Sequence, residues 1–129
     1  MENTALYAAL LSFLLVALSF RVIKVRRKFQ VSMGDAGNDY LQPLIRAHAN
    51  FIEYTPISLI LIASAEINSF VPVWCIHIIG LLLLSGRIMH AYGLSNNLMS
   101  YQVKGMQLTL GVIMVTGVIN VIGAVSHWF

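Results

Sequence analysis

The chain has 129 residues, of which 58% are hydrophobic and 10% are charged, and its mean hydropathy is +0.79. A water-soluble domain of this size carries charged residues at about a quarter of its positions, so the composition excludes a chain whose whole surface faces water. It predicts a membrane protein with a single domain over residues 1–129. The formal net charge of +3 does not indicate a nucleic-acid partner, because most basic residues cluster in one short run rather than along an aromatic-rich stripe.

Residues 4–28 are predicted to form the first helix. Its apolar part is an almost uninterrupted run of about 20 residues, which matches a hydrocarbon core roughly 30 Å thick. Glu2 precedes this run, and Arg21, Lys24 and Arg26 lie at its end, which is the reverse of the charge order in a secretory signal peptide. We therefore expect this segment to remain in the protein, with its basic end in the cytoplasm.

Three further helices are predicted over residues 41–68, 72–94 and 103–126. Residues 32–39 form the first loop, because they hold two glycines, two aspartates and an asparagine, a composition that favours turns. A second polar loop, residues 95–101, separates the third helix from the fourth. The sequence therefore predicts an all-α membrane protein, a bundle of four transmembrane helices surrounded by membrane lipids.

The basic residues support this number of spans. If the chain crosses the membrane four times, all of them fall on one side: Arg21, Lys24, Arg26, Arg27, Lys28, Arg46, Arg87 and Lys104. Positive residues accumulate in the cytoplasm. The predicted topology has the N-terminus outside and the basic loops in the cytoplasm.

Three polar side chains share one face of the second helix. Arg46, Asn50 and Glu53 occur at i, i+4 and i+7, so a period of 3.6 residues stacks them over about 10 Å, with Tyr54 beside them. An ionisable residue at membrane depth costs on the order of 2–3 kcal/mol even on the insertion scale, and it faces a bundle interior or a cavity. This face is the first candidate site.

The third helix runs toward the same side and brings Arg87 and His90 to a similar depth. The two helices can then share one polar cluster, which would suit a ligand with carboxylates for the arginines and an ammonium group for Glu53. An amino-acid-like or peptide-like ligand fits this pattern. A structural ion network without a ligand is the alternative. Lys24 and Arg26 fit either the mouth of the cavity or an anchor for lipid headgroups, and no histidine spacing predicts a metal site.

Two segments resemble a known family. The string RAHANFIEY, from Arg46 to Tyr54 and followed shortly by Pro56, resembles the second-helix signature RxxxNxxEY of the MAPEG family, membrane-associated proteins in eicosanoid and glutathione metabolism. The string GRIMH, residues 86–90, is similar to the end of that family's third helix. The four-span layout matches along essentially the whole chain, and the short first loop resembles that of bacterial members, which implies a bacterial inner membrane.

The resemblance implies a homotrimer with three glutathione sites, each between adjacent subunits near the cytoplasmic leaflet. Glutathione would be a co-substrate, and a transferase or peroxidase reaction would act on a lipophilic electrophile from the bilayer. Glu53 would bind the γ-glutamyl ammonium. The glutathione contacts that the resemblance assigns are Arg46, Asn50, Glu53, Tyr54, Arg87, His90 and a basic residue at the end of the first helix, either Lys24 or Arg26.

The sequence departs from the family pattern at the residue that activates the glutathione thiol. Enzymes of this family activate it with an arginine on or near the start of the fourth helix, whereas this chain has Lys104 there and no arginine after Arg87. Arg87 and Lys104 are the candidate catalytic groups. A catalytically silent glutathione- or lipid-binding protein is one alternative, and a small multidrug-type transporter is another, although the first helix lacks the internal carboxylate on which such transporters rely.

Overall fold

The computed structural model describes residues 1–128, which form four α-helices and no strands. The helices are α1 (Glu2–Phe29), α2 (Leu41–Ile67), α3 (Val73–Ser95) and α4 (Met99–Ser126). Helices α1, α3 and α4 are each long and apolar enough to cross a membrane. Helix α2 has 27 residues, about 40 Å of axis, and is less apolar because its first turns carry the polar face. The prediction of an all-α membrane bundle is confirmed.

The outside of the bundle is apolar. Phe13, Phe20, Met114 and Val121 are between 64% and 71% exposed, although residues of this size and hydrophobicity are usually buried in soluble proteins. The core is narrow and contains Leu11, Ile62, Leu83 and other aliphatic side chains. So many exposed aliphatic and aromatic side chains indicate that the bundle is surrounded by lipid.

Helix α4 begins at Met99, four residues before the predicted start at residue 103. The connection from α3 is shorter than its polar sequence suggests, because Asn97 adopts the left-handed conformation (φ 54°), which asparagine tolerates better than most residues. Leu98 N then donates to Gly93 O over 2.8 Å. The chain reverses within Asn96–Leu98, and α3 and α4 form a tight hairpin.

Glycines bring α3 and α4 into backbone contact. A Cβ atom on Gly105 would collide with the backbone nitrogen of His90, and one on Gly93 would lie 2.5 Å from Gln102 N. Gly86 faces the carbonyl of Gly105 in the same way. Small residues at helix interfaces allow this approach in membranes. The contact fixes the rotation of α3 and α4 about their own axes, and therefore which face each polar residue occupies.

At the other end of the bundle, Glu66 of α2 caps the first turn of α1. Its Oε1 accepts hydrogen bonds from Asn3 N (3.0 Å) and Asn3 Nδ2 (2.9 Å), and its Oε2 accepts from Thr4 N (2.8 Å) and Thr4 Oγ1. Tyr7, one turn further on, donates to His77 O of α3 over 3.0 Å. The first N–H groups of a helix have no partner within it, so these contacts stabilise the start of α1 against α2 and α3.

Candidate functional site

The polar face of α2 lies on the outside of the bundle. Arg46 and Glu53 are exposed, and Asn50 and Tyr54 are half-buried. Among residues 1–128, neither the Arg46 guanidinium nor the Glu53 carboxylate has an opposite charge within 4.0 Å. The predicted face therefore exists, but its two charged ends are not neutralised by any described part of the chain.

Arg87 of α3 lies inside the bundle, between α2 and α4. Its side chain is 0% exposed, its Nη2 donates to Asn50 Oδ1 over 2.8 Å, and its Nη1 lies 3.5 Å from Thr109 Oγ1. The guanidinium also stacks over Phe51, 5.5 Å from the ring centre. The structure thus brings Arg87 to the polar face of α2, as predicted for a shared cluster, but it buries the side chain behind Asn50.

His90 connects α3 to α4. Its side chain is buried, and its Nδ1 lies 2.9 Å from the carbonyl oxygen of Gln102. A carbonyl oxygen only accepts, so Nδ1 carries the proton, and Nε2 is the acceptor of the neutral ring. His90 is therefore held on the α4 side of α3, one turn from Arg87.

Arg26 and Arg46 meet at the basic end of the bundle. Both line one cavity of about 280 Å³, together with Gly34, Asp35, Gln42 and Ile45. Of the two basic residues considered at the end of α1, Arg26 therefore reaches α2, whereas Lys24 is exposed and does not line this cavity. Sequence reasoning missed Asp35 and Gln42, because Asp35 belongs to a loop interpreted only as a turn.

Lys104 lies on a different side of α4. It lines an apolar groove of about 560 Å³ between α3 and α4, with Met89, Gln107 and Gly111 among its neighbours. Five residues separate it from Thr109, which faces Arg87, and at about 100° per residue the two side chains point roughly 140° apart. Within the single chain, Lys104 therefore does not join Asn50 and Arg87.

A serine and a histidine that the sequence did not single out meet between α1 and α2. Ser19 Oγ donates to Leu15 O over 2.9 Å and lies 3.0 Å from His48 Nε2. The hydroxyl has one proton, so His48 Nε2 donates to it rather than removing a proton from it. This pair links two helices and is not an activated nucleophile. Among residues 1–128, no three histidine, cysteine, aspartate or glutamate side chains form a group that could hold a metal ion.

Comparison with known proteins decides the family. The MAPEG family matches residues 4–122 of this sequence. The chain belongs to the MAPEG family. Inner membrane protein YecN of Escherichia coli K12 is 42% identical over 106 residues, which cover 82% of this chain and 80% of that protein. The YecN protein of the O6:H1 strain gives the same values. The resemblance inferred from the second and third helices is thus confirmed, and the apolar helices and these relatives support a multi-pass inner membrane protein.

Proposed function

We propose that the protein is a homotrimeric membrane enzyme that binds glutathione and transfers its thiol to, or uses it to reduce, a lipophilic electrophile from the bilayer. One observation carries this proposal: Arg46 and Glu53 are exposed on one face of α2, and neither has a counter-ion within 4.0 Å among residues 1–128. Hydrocarbon cannot solvate such groups. A neighbouring copy that covers this face, with a zwitterionic ligand between the two, would satisfy them.

The charges available match those of glutathione. The tripeptide has two carboxylates and one ammonium group near neutral pH. The protein offers two guanidiniums, Arg26 and Arg46, around one cavity that Asp35 also lines, and the Glu53 carboxylate two turns further along α2. Arginine binds carboxylates through two parallel hydrogen bonds. In this assignment Glu53 binds the γ-glutamyl ammonium, Asn50 and Tyr54 contact the peptide, and the site lies in the cytoplasmic leaflet with the N-terminus outside.

The reaction needs a thiolate. In the transferase reaction the thiol loses its proton, the sulfur forms a bond to the electrophilic carbon, and the proton passes to the product or its leaving group. In the peroxidase reaction two glutathiones become one disulfide while a lipid hydroperoxide becomes an alcohol and water. A cation near sulfur favours the thiolate. Lys104 of an adjacent copy is the candidate for that cation, since its own protomer directs it away from Asn50.

A catalytically silent binder is the second candidate. The position of Lys104 favours it, because within the protomer Lys104 lines an apolar groove rather than the polar cluster. The ultraviolet absorbance of thiolate on addition of glutathione separates the two candidates. An enzyme of this kind ionises the bound thiol, whereas a silent binder leaves it protonated.

Calorimetry on the purified full-length protein in detergent or nanodiscs tests the proposal. We expect saturable glutathione binding with one site per chain, a trimer by native mass spectrometry, and weaker binding in Arg46→Ala. Glu66→Gln is the matched control, because Glu66 is the other glutamate of α2 but accepts hydrogen bonds from the first turn of α1 through both carboxylate oxygens. Absence of glutathione binding to the wild type, or normal binding to Arg46→Ala, would contradict the proposal or its site.

A further inference from the structure

Asn50 and Asn120 are two half-buried residues whose side-chain amides form opposite kinds of hydrogen bond within the bundle. Asn50 Oδ1 accepts a hydrogen bond from Arg87 Nη2 over 2.8 Å. Asn120 instead donates through Nδ2, to the carbonyl oxygens of Leu61 (3.0 Å) and Thr116 (2.8 Å). Asn120 uses its donors inside the protein. Asn50 uses its acceptor there, and within residues 1–128 its Nδ2 has no acceptor.

The identity of the partner fixes the orientation of Asn50. An arginine side chain has donors and no acceptor, so the nitrogen of the amide cannot face Arg87 and must point away from it. Arg87 itself is 0% exposed and is packed against the ring of Phe51. It cannot move outward to a ligand without leaving the core, and its Nε is already buried without a partner.

We infer that Arg87 is a positioning residue: it holds the Asn50 amide so that both N–H groups face the site, which makes this position select a ligand acceptor, a carboxylate or a peptide carbonyl. The inference rests on the proposed function for the identity of the ligand. It differs from the contact role that the family resemblance implied for Arg87, because the side chain acts through Asn50. A hydrogen bond from a charged donor also polarises the amide and strengthens its outward N–H groups.

Asn50→Asp is the decisive variant. The aspartate keeps an acceptor toward Arg87 and gains an ion pair with it, so the protein should fold with a melting temperature at or above that of the wild type. Its outward atom, however, is now an oxygen, which repels a carboxylate or carbonyl. We expect the Kd for glutathione, measured by calorimetry on the full-length protein, to rise at least tenfold.

Asn120→Asp is the matched control. It replaces an amide nitrogen that donates to two carbonyl oxygens with a carboxylate oxygen, so we expect a lower melting temperature and an unchanged Kd. The pair of variants makes the same chemical change at two amides in membrane-spanning helices. Opposite effects on stability and binding would support the inference.

Substitutions of Arg87 test whether it acts through Asn50. Arg87→Met frees the amide to rotate, and the Kd should rise several-fold, whereas Arg87→Lys keeps a donor and should restore part of the affinity. In the Asn50→Ala background, Arg87→Met should leave the Kd unchanged. A merely structural Arg87 would lower the melting temperature while its effects on binding remained independent of residue 50.

The outcomes separate this inference from the proposed function. If the wild type binds glutathione and Asn50→Asp binds it equally well, the inference is overturned and the function stands. If the wild type binds none, the function is overturned, and melting temperatures decide whether Arg87 positions the side chain of residue 50. A stabilising Asn50→Asp that loses its effect in the Arg87→Met background would support it, and the same change in both backgrounds would overturn it.

Discussion

The two glutamates of α2, one toward each end of the helix, differ in their contacts. Glu66, at the end nearer the start of α1, accepts hydrogen bonds from Asn3 and Thr4 and has almost no exposed side-chain surface. Glu53, at the basic end of the bundle, is exposed and has no cationic partner among residues 1–128. A carboxylate with all its acceptors filled by its own chain needs nothing further. An exposed carboxylate without an ion pair, on the same helical face as Arg46, which has none either, is what the proposed site would use to bind another molecule.

The largest effects on binding and stability should come from replacing the carboxylates of Glu53 and Glu66 by neutral amides. Glu53→Gln should weaken glutathione binding tenfold or more, because a hydrogen bond to a charged group contributes about 1.5–3 kcal/mol, and should leave the melting temperature nearly unchanged. Glu66→Gln should do the reverse, since it weakens the contacts to Thr4 and Asn3. Calorimetry and thermal unfolding of both variants test this difference. It would be refuted if Glu53→Gln and Glu66→Gln changed binding and melting temperature alike.

A smaller effect should appear when the α3–α4 contact is opened. Gly105→Ala places a Cβ against the backbone of His90, and overpacking of this kind costs about 1–3 kcal/mol. Gly111→Ala, on the same helix, meets nothing within 4 Å and should be neutral or stabilising by up to about 1 kcal/mol. Thermal unfolding in one detergent compares them. Equal melting temperatures would mean that this close contact does not set the position of α4.

The smallest effect should distinguish the two basic residues at the end of α1. Arg26→Ala should weaken glutathione binding by an amount equivalent to about 0.2–1 kcal/mol, the range for exposed ion pairs, and the loss should shrink at high salt. Lys24→Ala should have no effect, because only Arg26 shares a cavity with Arg46. Titrations at two salt concentrations provide the measurement. A larger loss for Lys24→Ala would move the ligand to the other side of α1.

The helices and the polar face of α2 could be predicted because both depend on local patterns. Apolar length set the number of spans, and the spacing of Arg46, Asn50 and Glu53 placed them on one face. The left-handed turn at Asn97 could not be predicted, because nothing in a polar stretch fixes which asparagine adopts it, and so α4 was predicted to start four residues too late.

The orientation of individual side chains was also beyond the sequence. Whether Arg87 faces a ligand or the core depends on the rotation of α3 against α2 and α4, which the contact of Gly86 and Gly105 determines. The rotation of α4 at the same contact places Lys104 in the apolar groove between α3 and α4. A helical period gives relative directions along one helix. It does not give the direction of that helix toward its neighbours.

The capping of α1 by Glu66 has a consequence for how the chain is assembled in the membrane. The carboxylate follows Thr4 by 62 residues, so the first turn of α1 is synthesised well before its cap. The N–H groups of its first turn gain these partners only after α2 has been synthesised and has packed against α1. Packing of α2 therefore completes the first turn of α1, and a chain with α2 inverted would leave this carboxylate and those amides at opposite ends of the bundle.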